Sequence, residues 1–269
     1  MMNPLYWLDL RVRIRERRLW VITLLFILVP LAISSLAVMV SNQDFGSSNA
    51  PGETAMAILF SAMFCHLGLI VLLSPLISAQ RISQEREQRT YAALINSPLS
   101  PHRIVWGKLL GAWTFLLWIS VLSLPFAVLS WLWGGIGLGT ILAFMILNSL
   151  AGMTLVSISL GFSGLFGRSM SAYITSAIVL FLWCIALPIA GMFLGEIVDA
   201  GEPPRWVMYT FLLHNPAAPQ IWLTTYASGE VSAYTGTGLI GALYGVGCWI
   251  VFSLIGYGLA VHGVKREVC

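Results

Sequence analysis

Six long apolar runs, separated by polar intervals, occupy most of this chain: Leu19–Val40, Ala55–Ala79, Trp106–Leu132, Leu138–Leu165, Ala172–Gly195 and Leu239–Val261. A helix needs about 20 apolar residues to cross a hydrocarbon core of about 30 Å, so each run predicts one transmembrane helix. The segment ahead of the first run is patterned differently. Leu5, Leu8 and Val12 recur at helical spacing, with Arg11, Arg15 and Arg18 on a neighbouring stripe and Tyr6 and Trp7 among them. Residues 1–18 therefore predict an amphipathic helix lying among the headgroups, rather than a tail that only sets topology. The interval Ser41–Thr54 is polar and turn-rich. Residues 196–238 are not. They hold two apolar, aromatic pieces too short to cross, Arg205–Leu213 and Ala217–Tyr226, divided by Asn215-Pro216. Short helices lying on, or dipping into, the outer side are expected there.

Between the second and third runs stands a charged block, Arg81–Lys108, RISQEREQRTYAALINSPLSPHRIVWGK. Ser83–Asn96 contains helix formers and neither Gly nor Pro, which predicts that the second helix continues through it. Ser97-Pro98 is expected to stop that helix, because the residue before proline avoids the α region. Ser100 then suits an N-cap and Pro101 the first helical position. Residues 81–105 thus predict a helix–turn–helix elbow, whose tip, Tyr91–Ser100, has the mixed apolar and small polar character of a docking surface.

Composition turns these runs into a class. With 58% apolar and 9% charged residues and a mean hydropathy of +0.86, residues 1–269 are expected to form a single all-α membrane domain with the lipid bilayer as solvent. Of the fourteen Lys and Arg, all but Arg205 fall before run one, between runs two and three, between four and five, or after six. Basic residues are retained on the cytoplasmic side, so both N and C termini are predicted to be cytoplasmic, which an even number of spans also requires. The net charge of +3 anchors topology beside anionic lipid. No basic stretch carries the aromatics of a nucleic-acid site, and no nucleic acid is expected as a partner. Cys65, Cys184 and Cys248 lie inside runs and Cys269 is last, a distribution that offers no outer-loop disulfide and no metal-spaced cluster.

Candidate chemistry is sparse. His66 in run two and Asn148 in run four are the polar residues that a translocation path would use, though each also suits a hydrogen bond to a neighbouring helix. Gly107-x-x-x-Gly111 and Gly241-x-x-x-Gly245 permit close helix approach. Gly161-Phe162-Ser163-Gly164 and Gly258-x-Ala260-x-His262 resemble the serine and histidine motifs of rhomboid intramembrane proteases, so a Ser163–His262 hydrolase is an alternative reading. Both residues fall at the cytoplasmic rim, unlike their counterparts in that family. A non-transporting membrane scaffold is the third reading. No G-x-x-x-x-G-K-[ST] phosphate loop is present, so any use of ATP requires another chain.

The charged block resembles the loop between spans two and three of six-span permease subunits of type-2 ATP-binding-cassette exporters. That loop often reads E-R-E-x-G-T-x-x-x-L-x-x-S-P-L-S and then I-x-x-G-K. Glu85-Arg86-Glu87, Thr90, Leu94, Ser97-Pro98-Leu99-Ser100, Ile104 and Gly107-Lys108 match it. Arg89 departs from it, standing where the pattern has glycine. The resemblance implies an ATPase-coupling elbow built on Glu85, Glu87, Arg89, Thr90, Leu94, Ser97 and Pro98. It further implies a permease homodimer with separate ABC ATPase subunits in the cell inner (cytoplasmic) membrane. ATP and Mg would sit in the partner ATPase, with no cofactor bound by this chain. Export of a lipid, drug-like or other amphipathic substrate is the expected activity.

Overall fold

Helix follows wherever the chain is apolar, because in lipid every backbone N–H and C=O must find its partner within its own segment. A computed structural model describes residues 17–43, 51–91, 99–132, 137–198, 205–228 and 238–266, and no strand occurs among them. The first helices are α1 (Arg17–Gln43) and α2 (Pro51–Ser78), followed by the single turn α3 (Ser83–Glu87). The third run is divided into α4 (Pro101–Val121) and α5 (Leu124–Leu132), and α6 (Leu138–Leu165) forms the fourth. The fifth comprises α7 (Ser169–Phe181), a π-helical turn at Leu182–Ala186, and α8 (Leu187–Val198). Next come the short α9 (Arg205–Val207), a second π-turn (Met208–Leu212) and α10 (Ala218–Ser228). The last helix is α11 (Gly238–Lys265).

Five stretches are long and apolar enough to cross a membrane: Ala55–Glu87, Pro101–Leu132, Leu138–Leu165, Ser169–Gly195 and Leu239–Lys265. Within α1 the apolar stretch is the shorter Thr23–Leu36. Leu24, Leu72, Ile146, Phe193 and Leu254 turn outward, at 60% exposure or more. Such apolar exteriors belong against lipid. The main core lies between α2, α4, α6 and α11, around Ile70, Leu109, Leu116, Leu155, Leu160 and Trp249. A second cluster, with Leu59, Met63, Ala127, Phe144 and Leu223, brings α5 and α10 against α2 and α6.

The third and fifth runs are interrupted, and proline accounts for both breaks. Pro125 has no N–H to return to Val121, so the helix stops in a turn at Leu122-Ser123 and restarts from the Ser123 carbonyl. Pro188 does the same to the fifth run, where the π-turn sits just ahead of it.

Several expectations change. The interval predicted as Ser41–Thr54 is shorter, since α1 runs to Gln43 and α2 starts at Pro51. Arg17 and Arg18 open α1, while the rest of the predicted interfacial helix 1–18 lies outside the described residues. The helix predicted through Ser83–Asn96 is broken after Glu87, and residues 92–96 lie outside the described residues. The second helix ends at Ser78, α3 lasts five residues, and the chain turns at Gln88-Arg89. Propensity alone was a poor guide at this point, because tertiary bonds to other helices hold the turns.

Candidate functional site

The charged block is built from its backbone outward. Arg89 has φ 59° and is the non-glycine residue with positive φ among the described residues. Its N–H bonds the Arg86 carbonyl at 3.1 Å, and the Thr90 N–H bonds the Glu85 carbonyl at 3.0 Å. Those two bonds define a Schellman cap, with Arg89 at the left-handed position that glycine normally fills. The Thr90 hydroxyl adds a bond to the Glu85 carbonyl at 3.3 Å. The departure from glycine therefore falls at the one place where the backbone calls for it, and the geometry survives the substitution.

Beneath the cap, side chains fasten the block to four other helices. Lys108 on α4 pairs with Glu85 at 2.7 Å and donates to the Arg81 carbonyl at 3.0 Å. Arg81 donates back to the Lys108 carbonyl at 3.2 Å. Arg86 donates through Nη1 to the carbonyls of Gly164 and Phe166, at 2.8 and 3.0 Å, and through Nη2 to that of Gly263 at 3.0 Å. Its guanidinium lies 5.1 Å from the Tyr91 ring centre, a cation–π distance. Glu87 accepts the backbone N–H and the hydroxyl of Ser169, capping α7 from outside, since the N-cap residue Arg168 supplies no side-chain bond. Ser163 of α6 accepts the N–H groups of Ile82 and Ser83, at 2.9 and 3.1 Å, and so caps α3. Ser100 does precede α4 with Pro101 behind it, but its hydroxyl makes no capping bond.

The predicted site residues thus separate. Glu85 is anchored, Glu87 reaches α7, and Glu87, Arg89 and Thr90 are exposed along one edge. Leu94, Ser97 and Pro98 lie outside the described residues. Arg86 was missed as a site residue; the signal for it was an arginine between two glutamates in a chain so poor in charge.

His66 and Asn148 are both 1% exposed. His66 Nε2 and the Ser120 hydroxyl share a hydrogen bond at 3.0 Å, and Ser120 also lies 2.9 Å from the Leu116 carbonyl one turn back. Asn148 Oδ1 accepts from Gln220 Nε2 at 3.2 Å, drawing α10 against α6. Neither lines the cleft of about 460 Å³ bounded by Cys65, Gly68 and Leu72 of α2, Cys184 of the π-turn, and Asn215-Pro216. Asn215 does more than divide the two apolar pieces of 196–238. In the π-turn the Leu187 N–H goes back to Leu182, and Pro188 has none to give, so the Trp183 and Cys184 carbonyls lose their helical donors. Asn215 Nδ2 supplies both bonds, at 3.2 and 2.8 Å.

The alternative serine chemistry finds no support. Ser163 is fully buried and already accepts two N–H groups, and His262 is exposed. The glycines of the serine motif serve packing instead, whereas a Cβ on Gly258 of the histidine motif would meet nothing within 4 Å. A Cβ on Gly161 would lie 2.7 Å from the Gly256 carbonyl oxygen, and one on Gly164 would lie 2.8 Å from Ala260 Cα. The closest helix approach is there, between α6 and α11; a Cβ on Gly245 would instead meet the Leu213 carbonyl and Pro219.

An all-helical bundle of membrane-crossing length, with one folded polar block clamped across its spans and an apolar exterior, is a multi-pass membrane protein. Residues 3–262 match the family described as ABC-2 family transporter protein, and the chain belongs to that family. It is a membrane permease subunit of an ATP-binding-cassette transporter, of the kind that works with an ATPase partner. No individual curated protein matches the chain.

Proposed function

We propose that this chain forms the six-span core of an exporter, both termini cytoplasmic, that pairs with a second copy and is driven by separate ATPase subunits docking on the elbow. The supporting observation is the two-sidedness of the block. Arg81, Glu85, Arg86 and Lys108 fix one side to the spans and the exposed Glu87 ties the turn to Ser169, while Gln88, Arg89 and Thr90 are exposed in sequence on the other. Topology alone needs only basic residues. It does not need a capped turn held in one orientation. In this reading Glu85 orients the block, and Glu87, Arg89, Thr90, Leu94, Ser97 and Pro98 form the coupling surface. ATP and Mg are bound by the partner. An amphipathic substrate suits spans this apolar, and His66 and Asn148 are the polar groups it would meet if their bonds to Ser120 and Gln220 opened.

Co-expression with an ATP-binding-cassette ATPase of the same genome tests the docking. The unsubstituted protein is expected to co-purify with the ATPase and to change its hydrolysis rate. Thr90→Arg and Leu94→Arg are expected to weaken both while the permease still folds. Unchanged assembly and unchanged hydrolysis in both variants would refute the docking surface.

A further inference from the structure

The elbow lies between the second and third spans in sequence, yet its half-buried Arg86 is bonded to the fourth and sixth. The acceptors of Arg86, Gly164 and Phe166 at the end of α6 and Gly263 in the last turn of α11, are carbonyls at or near helix C-termini. Such carbonyls lack intrahelical donors and carry the negative end of the helix dipole, so a guanidinium is their matched partner. Three charge-assisted bonds from one rigid fork give the strongest single link in the block. Glu87, by contrast, reaches one residue of α7 from an exposed position.

The two helices that Arg86 joins are themselves inseparable. Neither Gly161 nor Gly164 leaves room for a Cβ against α11. Ser157 donates to the Ser253 carbonyl at 2.6 Å and Thr154 to the Trp249 carbonyl at 3.2 Å. Helices packed backbone to backbone, with no volume between them, move as one body. Tyr91 holds Arg86 from the elbow side, and its hydroxyl donates to the Val264 carbonyl at 3.5 Å.

We infer that Arg86 is the positioning residue that passes a displacement of the elbow to α6 and α11 together, making the fourth and sixth spans a single lever. This rests on the docking reading above. Arg86 acts through the carbonyls it holds and takes no part in nucleotide chemistry.

The test uses the permease–ATPase complex in lipid nanodiscs, with spin labels at Leu72→Cys on α2 and Leu142→Cys on α6, both outward-facing, in a background whose native cysteines are replaced. The probe is ATP with vanadate, and the readout is the change in distance between the labels. With Arg86 intact a nucleotide-driven shift is expected. In Arg86→Gln, with ATPase still bound, the shift is lost. A full shift in Arg86→Gln overturns the inference, and so does an unsubstituted complex with no shift. Should Arg86→Gln fail to fold, Arg86→Lys keeps the charge but cannot fork across two helices. A reduced shift then supports the lever, and a full one overturns it. Thermal stability is not the readout, because a purely structural arginine would lower it too. Failure of the unsubstituted permease to co-purify with the ATPase strikes the docking reading itself, and the lever with it.

Discussion

Arg89→Gly should make the protein more stable, although it removes a charged side chain from the most charged part of the chain. The left-handed conformation costs a non-glycine residue roughly 1–2 kcal/mol, through the approach of Cβ to the following carbonyl oxygen. Both bonds of the cap, Arg89 N–H to Arg86 and Thr90 N–H to Glu85, come from the backbone and survive any substitution that keeps the angle. Glycine relieves the strain but gives back about 0.5–1 kcal/mol through the greater freedom of the unfolded chain. The net gain is therefore about 0.5–1 kcal/mol. Arg89→Val should move the other way by at least as much, because a β-branched residue tolerates this region worst. Amide hydrogen exchange of the segment 83–90 is the direct assay, since local opening reads local stability. Protection should rise about two- to fivefold in Arg89→Gly, taking about 1.4 kcal/mol per factor of ten, and fall in Arg89→Val. Equal or lower protection in Arg89→Gly, with no change in Arg89→Val, would show that residue 89 is not left-handed and that the cap does not exist.

Asn215→Leu should destabilise by roughly 2–6 kcal/mol, since it leaves two carbonyls, of Trp183 and Cys184, without donors at about 1–3 kcal/mol each. Pro188→Ala restores an N–H, so the double variant should unfold at a higher temperature than Asn215→Leu alone; simple additivity in that cycle would contradict the compensation. Ser163→Ala should cost about 0.5–2 kcal/mol, the usual loss of a cap, seen as faster amide exchange at Ile82 and Ser83. Unchanged exchange there would remove the structural role assigned to the hydroxyl.

The run pattern alone placed the long helices to within a few residues, because a backbone in lipid has few alternatives to closing its own hydrogen bonds. The family resemblance, not the run pattern, marked Arg89 as the odd residue, without saying what was odd about it. The answer is a dihedral angle, and the backbone turn that demands it is held by Ser163 and Glu87 through α6 and α7, some eighty residues away. Helix propensity over Ser83–Asn96 spoke for a continuous helix and was overruled by those contacts. Pro188 announced a lost bond at Cys184, but no local pattern could name Asn215 as its replacement donor. In the same way the glycines beside Ser163 suggested chemistry, and the crossing of α6 over α11 gives them to packing. Periodicity, charge asymmetry and motif spacing are local quantities, and they determined span positions, class and family. Which carbonyls a guanidinium joins, and which helices pack backbone to backbone, depends on groups far apart in the chain, and only the tertiary structure decided it.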